Sequence, residues 1–219
     1  MQTADIARVL FALVAGYLLG AIPFGIFVPR LIGGPDPRTI GSGRTGGANV
    51  SRAVGFRWAL VSGLLDVAKA SVAVLVVIAV GGNPVAQVIA ALAAVVGHSR
   101  SVFIGFHGGR GVAPATGGAI VLAPVILLAI FPVFALTILI TRISSLGSLS
   151  ASLIGGLAMI GWTAINHLDP VFFAYGVGVP GLIWLFHVDN IQRLLAGKER
   201  RIGTKAVQPA STETPDTGS

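Results

Sequence analysis

The chain has 219 residues, of which 54% are hydrophobic and only 11% charged, with a mean hydropathy of +0.87, whereas an ordinary soluble domain carries roughly 25% charged residues. That balance points to an integral membrane protein and leaves no room for a large soluble domain. No cysteine is present, which excludes disulfides, thiolate metal sites and thiol nucleophiles.

Apolar runs long enough to cross a hydrocarbon core of about 30 Å recur along nearly the whole chain. In order they cover 6 to 28, 58 to 80, 85 to 104, 112 to 126, 127 to 141, 149 to 165 and 171 to 187. The first run lacks a basic leader and a small-residue cleavage pattern, so it reads as a retained span and not a secretory signal. The fourth and fifth meet around Pro124 and are read as two short crossings instead of one kinked helix. The expected fold is therefore all-α, with seven transmembrane helices in a single membrane domain over 1–203. The tail from 204 to 219 has no apolar periodicity and is expected to be a disordered cytoplasmic segment.

Basic residues test this topology. Thirteen of the 15 Lys and Arg residues lie in or beside the connections 29 to 57, 105 to 111, 142 to 148 and the C-terminal segment, with Arg8 on the opposite side and Lys69 inside a span. By the positive-inside rule those connections and the C-terminus are cytoplasmic and the N-terminus is outside. The formal net charge of +7 is thus a topology signal, and no nucleic-acid partner is expected. A single crossing over 112 to 141 would place Arg142 and the basic C-terminus on opposite sides.

Four polar clusters fall on the cytoplasmic face. The first, GSGRTGGAN (41–49) with Arg52, combines glycines whose backbone N–H groups can converge on an anion with arginines that can fork onto phosphate oxygens; a basic loop touching anionic headgroups has the same composition. The second, FHGGRGVAP (106–114), places three glycines and Arg110 just before a span, where the first turn of a helix offers unpaired N–H groups. A plain turn between helices would read the same way. The third, TRISSLGSLS (141–150), carries Ser144 and Ser145 at the inner ends of two spans, where serines also bond helix backbones. The fourth, FHVDNIQRLLAGKE (186–199), spaces His187 and Asn190 so that a continuing helix would aim both at one site, or else lies as an interfacial helix. Within the second span Asp66 and Lys69 stand i, i+3 and can neutralise each other. The four histidines are scattered, so no metal site is expected.

Taken together, GAIPFG (20–25), IGSGRTGGANVSR (40–52), LLDVAK (64–69), VVGH (95–98) with FHGGRGVA (106–113), TRISSL (141–146) and HVDNIQRLLAGKE (187–199) resemble, in this order, the PlsY family of bacterial membrane acyl-phosphate:glycerol-3-phosphate acyltransferases. The resemblance implies transfer of a fatty acyl group from acyl phosphate to the 1-hydroxyl of glycerol 3-phosphate, giving lysophosphatidic acid and phosphate for phospholipid biosynthesis. It implies a multi-pass protein of the bacterial inner membrane, working as a monomer, without a cofactor, with the bilayer and the two phosphorylated substrates as its partners. Carried over by position, it implies catalytic roles for Ser42, Arg110, Ser145, His187 and Asn190. It implies substrate binding by Gly41, Gly43, Asn49, Arg52, Gly108, Gly109, Gly111 and Arg193. Arg44, Gly47, Ala48, His107, Arg110, Pro114 and Val188 depart from the family's usual residues. A non-catalytic or altered-specificity binder or transporter of organic phosphates is the alternative, although charges at depth are too few for a transport pathway.

Overall fold

The computed structural model describes residues 3–202, so the tail expected from 204 onward lies outside the described residues. It is all-helical. Helices α1 (Thr3–Ala21) and α2 (Phe24–Leu31) are separated by a break at Ile22 and Pro23 and together make the first apolar segment. The break has a simple cause, since Pro23 has no N–H for the helical ladder. A short α3 (Gly47–Val54) follows the glycine-rich loop, and Gly55 with φ +89° turns the chain into α4 (Phe56–Ala79). Helix α5 (Pro84–Ser99) opens on Asn83, whose side chain accepts from the Ala86 N–H at 3.0 Å, with proline in the first turn.

The remaining helices are α6 (Val112–Leu122), α7 (Leu127–Thr141), α8 (Ser144–Ile165), α9 (Val171–Phe186) and α10 (Val188–Leu195). Five segments are long and apolar enough to cross a membrane, or six if α9 and α10, bent by 66°, count as one. The expected fourth span is the departure. Helix α6 has 11 residues, about 16 Å at 1.5 Å per residue, and stops at Ala123 because Pro124 follows. At the C-terminal end the last span closes at Phe186 and the chain bends before α10, which selects a separate helix over a continuing one.

Helix α5 is the centre of the bundle, with α1, α4, α6 and α9 packed around it. In lipid the contacts between helices gain little from the hydrophobic effect, so close backbone approach and interhelical hydrogen bonds carry the packing. Gly20 of α1 lies so close to Ala94 of α5 that a methyl group there would collide with the Ala94 carbonyl. Ser71 Oγ donates to the Gly117 carbonyl at 2.9 Å, tying α4 to α6. The buried Tyr175 hydroxyl donates to the Ala115 carbonyl at 2.7 Å, tying α9 to α6. Helix α7 has no buried residue and presents Leu128, Leu139 and Ile140 outward, as a lipid-facing helix must.

The loops that carry Ser42, Arg110, Ser145 and His187 meet at one end of the bundle. The Arg8 side chain lies beside Gly81 in the α4–α5 turn, at the end away from those loops.

Candidate active site

Those loops enclose a cleft with about 1060 Å³ of empty space. Of the residues expected at a site, Ser42, Asn49, Arg52, Arg110, Gly111, Ser145, His187 and Asn190 line it. Gly41, Gly43, Gly108, Gly109 and Arg193 do not line it, although Gly41 abuts Asn49, Gly109 abuts the His98 ring and Arg193 bonds Glu199. Among the departures from the family's usual residues, Arg44, Gly47 and Ala48 line the cleft along with Arg110, whereas His107 and Val188 are exposed outside it.

The first wall is the 41–49 loop. Gly41, at φ +61°, takes a left-handed turn that a side chain would strain. Asn49 is 2% exposed, and its polar atoms are committed to the loop. Its Nδ2 donates to the carbonyls of Ile40 and Arg44 at 2.9 Å each, and its Oδ1 accepts from Arg52 Nη1 at 2.9 Å and from the Ser42 N–H at 3.4 Å. Asn49 thus positions Ser42 and Arg52. Burial, reinforced by repulsion from Arg200, holds Arg52 below the usual arginine value. A guanidinium in that condition remains charged and is well suited to an anion.

The second wall is the 108–111 loop. Arg110 Nη2 donates to Asp189 Oδ2 at 2.7 Å, while Arg110 Nε is buried with no partner among the described residues. Burial raises the cost of the Asp189 carboxylate, but Arg110 and then Arg193 outweigh it and hold that group below the usual carboxylate range. Gly111 caps α6 at φ +84°.

The third and fourth walls come from α8 and from the α9–α10 bend. Ser145 Oγ and Asn190 Oδ1 are buried without a partner among the described residues. Glu199, whose side chain is 6% exposed, accepts from Asn190 Nδ2 at 2.8 Å and from Arg193 Nε at 2.9 Å, which fixes the Asn190 amide. The His187 Nδ1 lies 2.7 Å from the Ile183 carbonyl. A carbonyl only accepts, so Nδ1 carries the proton and Nε2 keeps its lone pair. Burial pushes His187 down to about 4, so the ring is neutral at physiological pH.

Several lining residues escaped the sequence reading of the site. Asp66 and His98 reach the cleft from α4 and α5. Arg200 also lines it, with Nη2 donating to the Gly41 carbonyl at 3.2 Å, and the Ile202 N–H donates to the Arg142 carbonyl at 2.7 Å. The segment after α10 therefore straps across the cleft from one loop to another. Only the run of basic residues at 198–201 hinted at this in sequence.

An apolar pocket with about 430 Å³ of empty space lies between α6, α7, α8 and α9, lined by residues such as Ala119, Ile130, Met159 and Ile183. Val112 and Ser148 line both cavities, so the polar cleft and the apolar pocket adjoin. One site thus presents four arginines, a neutral histidine and unpartnered hydroxyl and amide groups next to a slot for hydrocarbon.

A sequence model described as Glycerol-3-phosphate acyltransferase matches residues 10–197. Among similar proteins, the glycerol-3-phosphate acyltransferase of Synechococcus sp. (strain JA-3-3Ab) is 46% identical over 199 residues, covering 91% of this chain and 96% of that protein. That of Anaeromyxobacter sp. (strain K) is 43% identical over 192 residues, covering 86% and 94%. The crystal structure of PlsY (YgiH), an integral membrane glycerol 3-phosphate acyltransferase, in its glycerol 3-phosphate form superposes with a TM-score of 0.80 at 34% identity, covering 90% of this chain and 96% of that one. Its lysophosphatidic acid form gives a TM-score of 0.79.

Proposed function

The chain belongs to the glycerol-3-phosphate acyltransferase family, and on that premise we propose that it moves a fatty acyl group from acyl phosphate to the 1-hydroxyl of glycerol 3-phosphate, yielding lysophosphatidic acid and inorganic phosphate. The observation that carries this reading is the junction of a cleft holding Arg44, Arg52, Arg110 and Arg200 with an apolar pocket. Both substrates bear a phosphate and one bears a hydrocarbon chain, so each part of the cavity has a matching part of a substrate.

In this mechanism Ser42, Arg52 and the backbone of the 41–49 loop bind substrate phosphate, while Arg110 and Ser145 stabilise the charge that grows on the reacting acyl phosphate. Asn190 and His187 orient the glycerol hydroxyl. The hydroxyl oxygen attacks the acyl carbon, the bond from that carbon to the phosphate oxygen breaks, and phosphate leaves. His187, at about 4, is a weaker base than a phosphate monoester, whose second pKa is about 6. Nε2 therefore accepts the hydroxyl hydrogen bond and aims the nucleophile, and the proton leaves with the phosphate. No covalent enzyme intermediate is needed, because phosphate is a good leaving group and the site supplies proximity and charge.

The same reading has seven crossings within one domain over 1–203, with α6 as a short fourth. It places the N-terminus outside and the cleft and C-terminus at the cytoplasmic face of a bacterial inner membrane. The side of the bundle bearing nearly all the arginines supports this orientation, and a monomer suffices because one chain supplies every cleft residue. Purified protein offered glycerol 3-phosphate with either acyl phosphate or acyl-CoA tests the donor. Product from acyl phosphate alone is expected, and product only from acyl-CoA overturns the donor assignment.

A further inference from the structure

At the wall of the cleft, where Asp66 and His98 reach it, three ionisable side chains from two helices meet in a cluster. Lys69 Nζ lies 2.6 Å from Asp66 Oδ1, donates to the Ile22 carbonyl at 2.7 Å, and lies 3.1 Å from His98 Nδ1. All three side chains are at most 7% exposed. His98 Nδ1 also lies 3.4 Å from Asp66 Oδ1, so this one ring nitrogen faces both members of the ion pair. Lys69 Nζ thus touches three different groups, two through hydrogen-bond geometry and Asp66 as an ion pair.

What these groups hold matters more than their charges. The Ile22 carbonyl belongs to the break that launches α2, and α2 packs on the first loop so closely that a methyl group on Gly25 would collide with the Thr45 carbonyl. His98 supports the second loop. Its carbonyl accepts from the Gly109 N–H at 3.2 Å, the Gly108 N–H donates to the Ser99 carbonyl at 3.2 Å, and Gly109 sits directly on the His98 ring at Nε2.

We propose that the buried Lys69–Asp66–His98 cluster is a positioning device that locks the 41–49 and 108–111 loops to one another, so that Arg52 and Arg110 are set at a fixed separation before substrate arrives. Lys69 connects both loops, through Ile22 on one side and His98 on the other. Asp66, 2.6 Å away, keeps the Lys69 side chain in place. His98 transmits the hold to Arg110 alone. The inference rests on the acyltransferase reading for its kinetic consequence but not for its structural one.

The experiment therefore reads both. Amide hydrogen exchange of the purified protein is compared for wild type, His98→Leu, His98→Asn and Lys69→Met, alongside kcat and KM with acyl phosphate and glycerol 3-phosphate. His98→Leu is expected to speed exchange across 108–111 at least tenfold while leaving 41–49 unchanged. Lys69→Met is expected to speed both. His98→Asn, which restores a polar group near the Nδ1 position, is expected to return exchange and kcat to within about threefold of wild type, while His98→Leu lowers kcat at least tenfold with unchanged melting temperature.

Unchanged exchange at 108–111 in His98→Leu overturns the proposal, as does an equal loss in His98→Asn and His98→Leu. If Lys69→Met fails to fold, the two His98 variants still decide the second loop and its kinetic effect. Wild-type protein that makes no product yet shows the expected exchange pattern contradicts the acyltransferase reading and leaves the positioning cluster standing.

Discussion

Arg110 and Asp189, 79 residues apart in sequence, meet at 2.7 Å, and this pair anchors the guanidinium in the wall of the cleft. With Nη2 held by Asp189, the buried Nε is left for a ligand. Removing the guanidinium should cost far more than removing its holder. Arg110→Ala is expected to lower kcat about a hundredfold, equivalent to about 2.7 kcal/mol of transition-state stabilisation. Asp189→Asn is expected to lower it by less than about tenfold. Steady-state kinetics on both variants checks this, and equal losses would assign the direct role to Asp189.

Asn49 gives a second, different expectation, because it holds the loop and does not face the substrate as a free group. Asn49→Ala leaves the Ile40 and Arg44 carbonyls without their partner and is expected to destabilise the protein by about 2 to 3 kcal/mol. The KM for glycerol 3-phosphate should rise at least about tenfold as Ser42 and Arg52 lose their placement. Thermal unfolding in detergent with parallel kinetics measures both effects; a lowered kcat with unchanged stability would make Asn49 a direct ligand instead.

The sequence already carried the helical class, the shared face of the loops and the Asp66–Lys69 pair, because each follows from local spacing or from where arginines sit relative to apolar runs. The break at Pro124 was legible too, but the end of α6 at Leu122, four residues short of the expected boundary, was not, since 121 to 126 is apolar throughout. The choice between a continuing helix and a separate one after His187 was left open, because nothing in FHVDN disfavours either, and the 66° bend decides for the second. Asp189, Glu199 and Arg200 gained their roles only through tertiary contacts to Arg110, Asn190 and Gly41. A charged residue in an amphipathic segment looks solvated until its distant partner is known.

Glycine packing yields a steric prediction. A methyl group on Gly109 would collide with the His98 ring, so Gly109→Ala should displace Arg110 and lower kcat at least about tenfold. Gly161 on α8 has no atom within 4 Å of a would-be methyl group, and Gly161→Ala should leave turnover unchanged and stabilise the helix by about 0.5–1 kcal/mol. Paired kinetics and melting curves test the contrast. Equal behaviour of the two variants would remove Gly109 from the support of the site.

His187 predicts a pH dependence of stability. Burial lowers it from the usual 6.5 to about 4, so as pH falls the unfolded chain takes up the proton before the folded protein does. Its contribution is therefore complete above pH 6.5 and is lost as pH falls toward 4, amounting to roughly 3 kcal/mol at most. Melting temperatures over that range should fall more steeply for wild type than for His187→Asn. Parallel curves would place the histidine in a solvated environment.

The most direct test of the account is a timed reaction of purified protein with acyl phosphate and glycerol 3-phosphate, following lysophosphatidic acid and inorganic phosphate together. The account predicts that both appear in equal amounts with wild type and that both fall about a hundredfold with Arg110→Ala. Release of phosphate without lysophosphatidic acid, or equal product from wild type and Arg110→Ala, would contradict it.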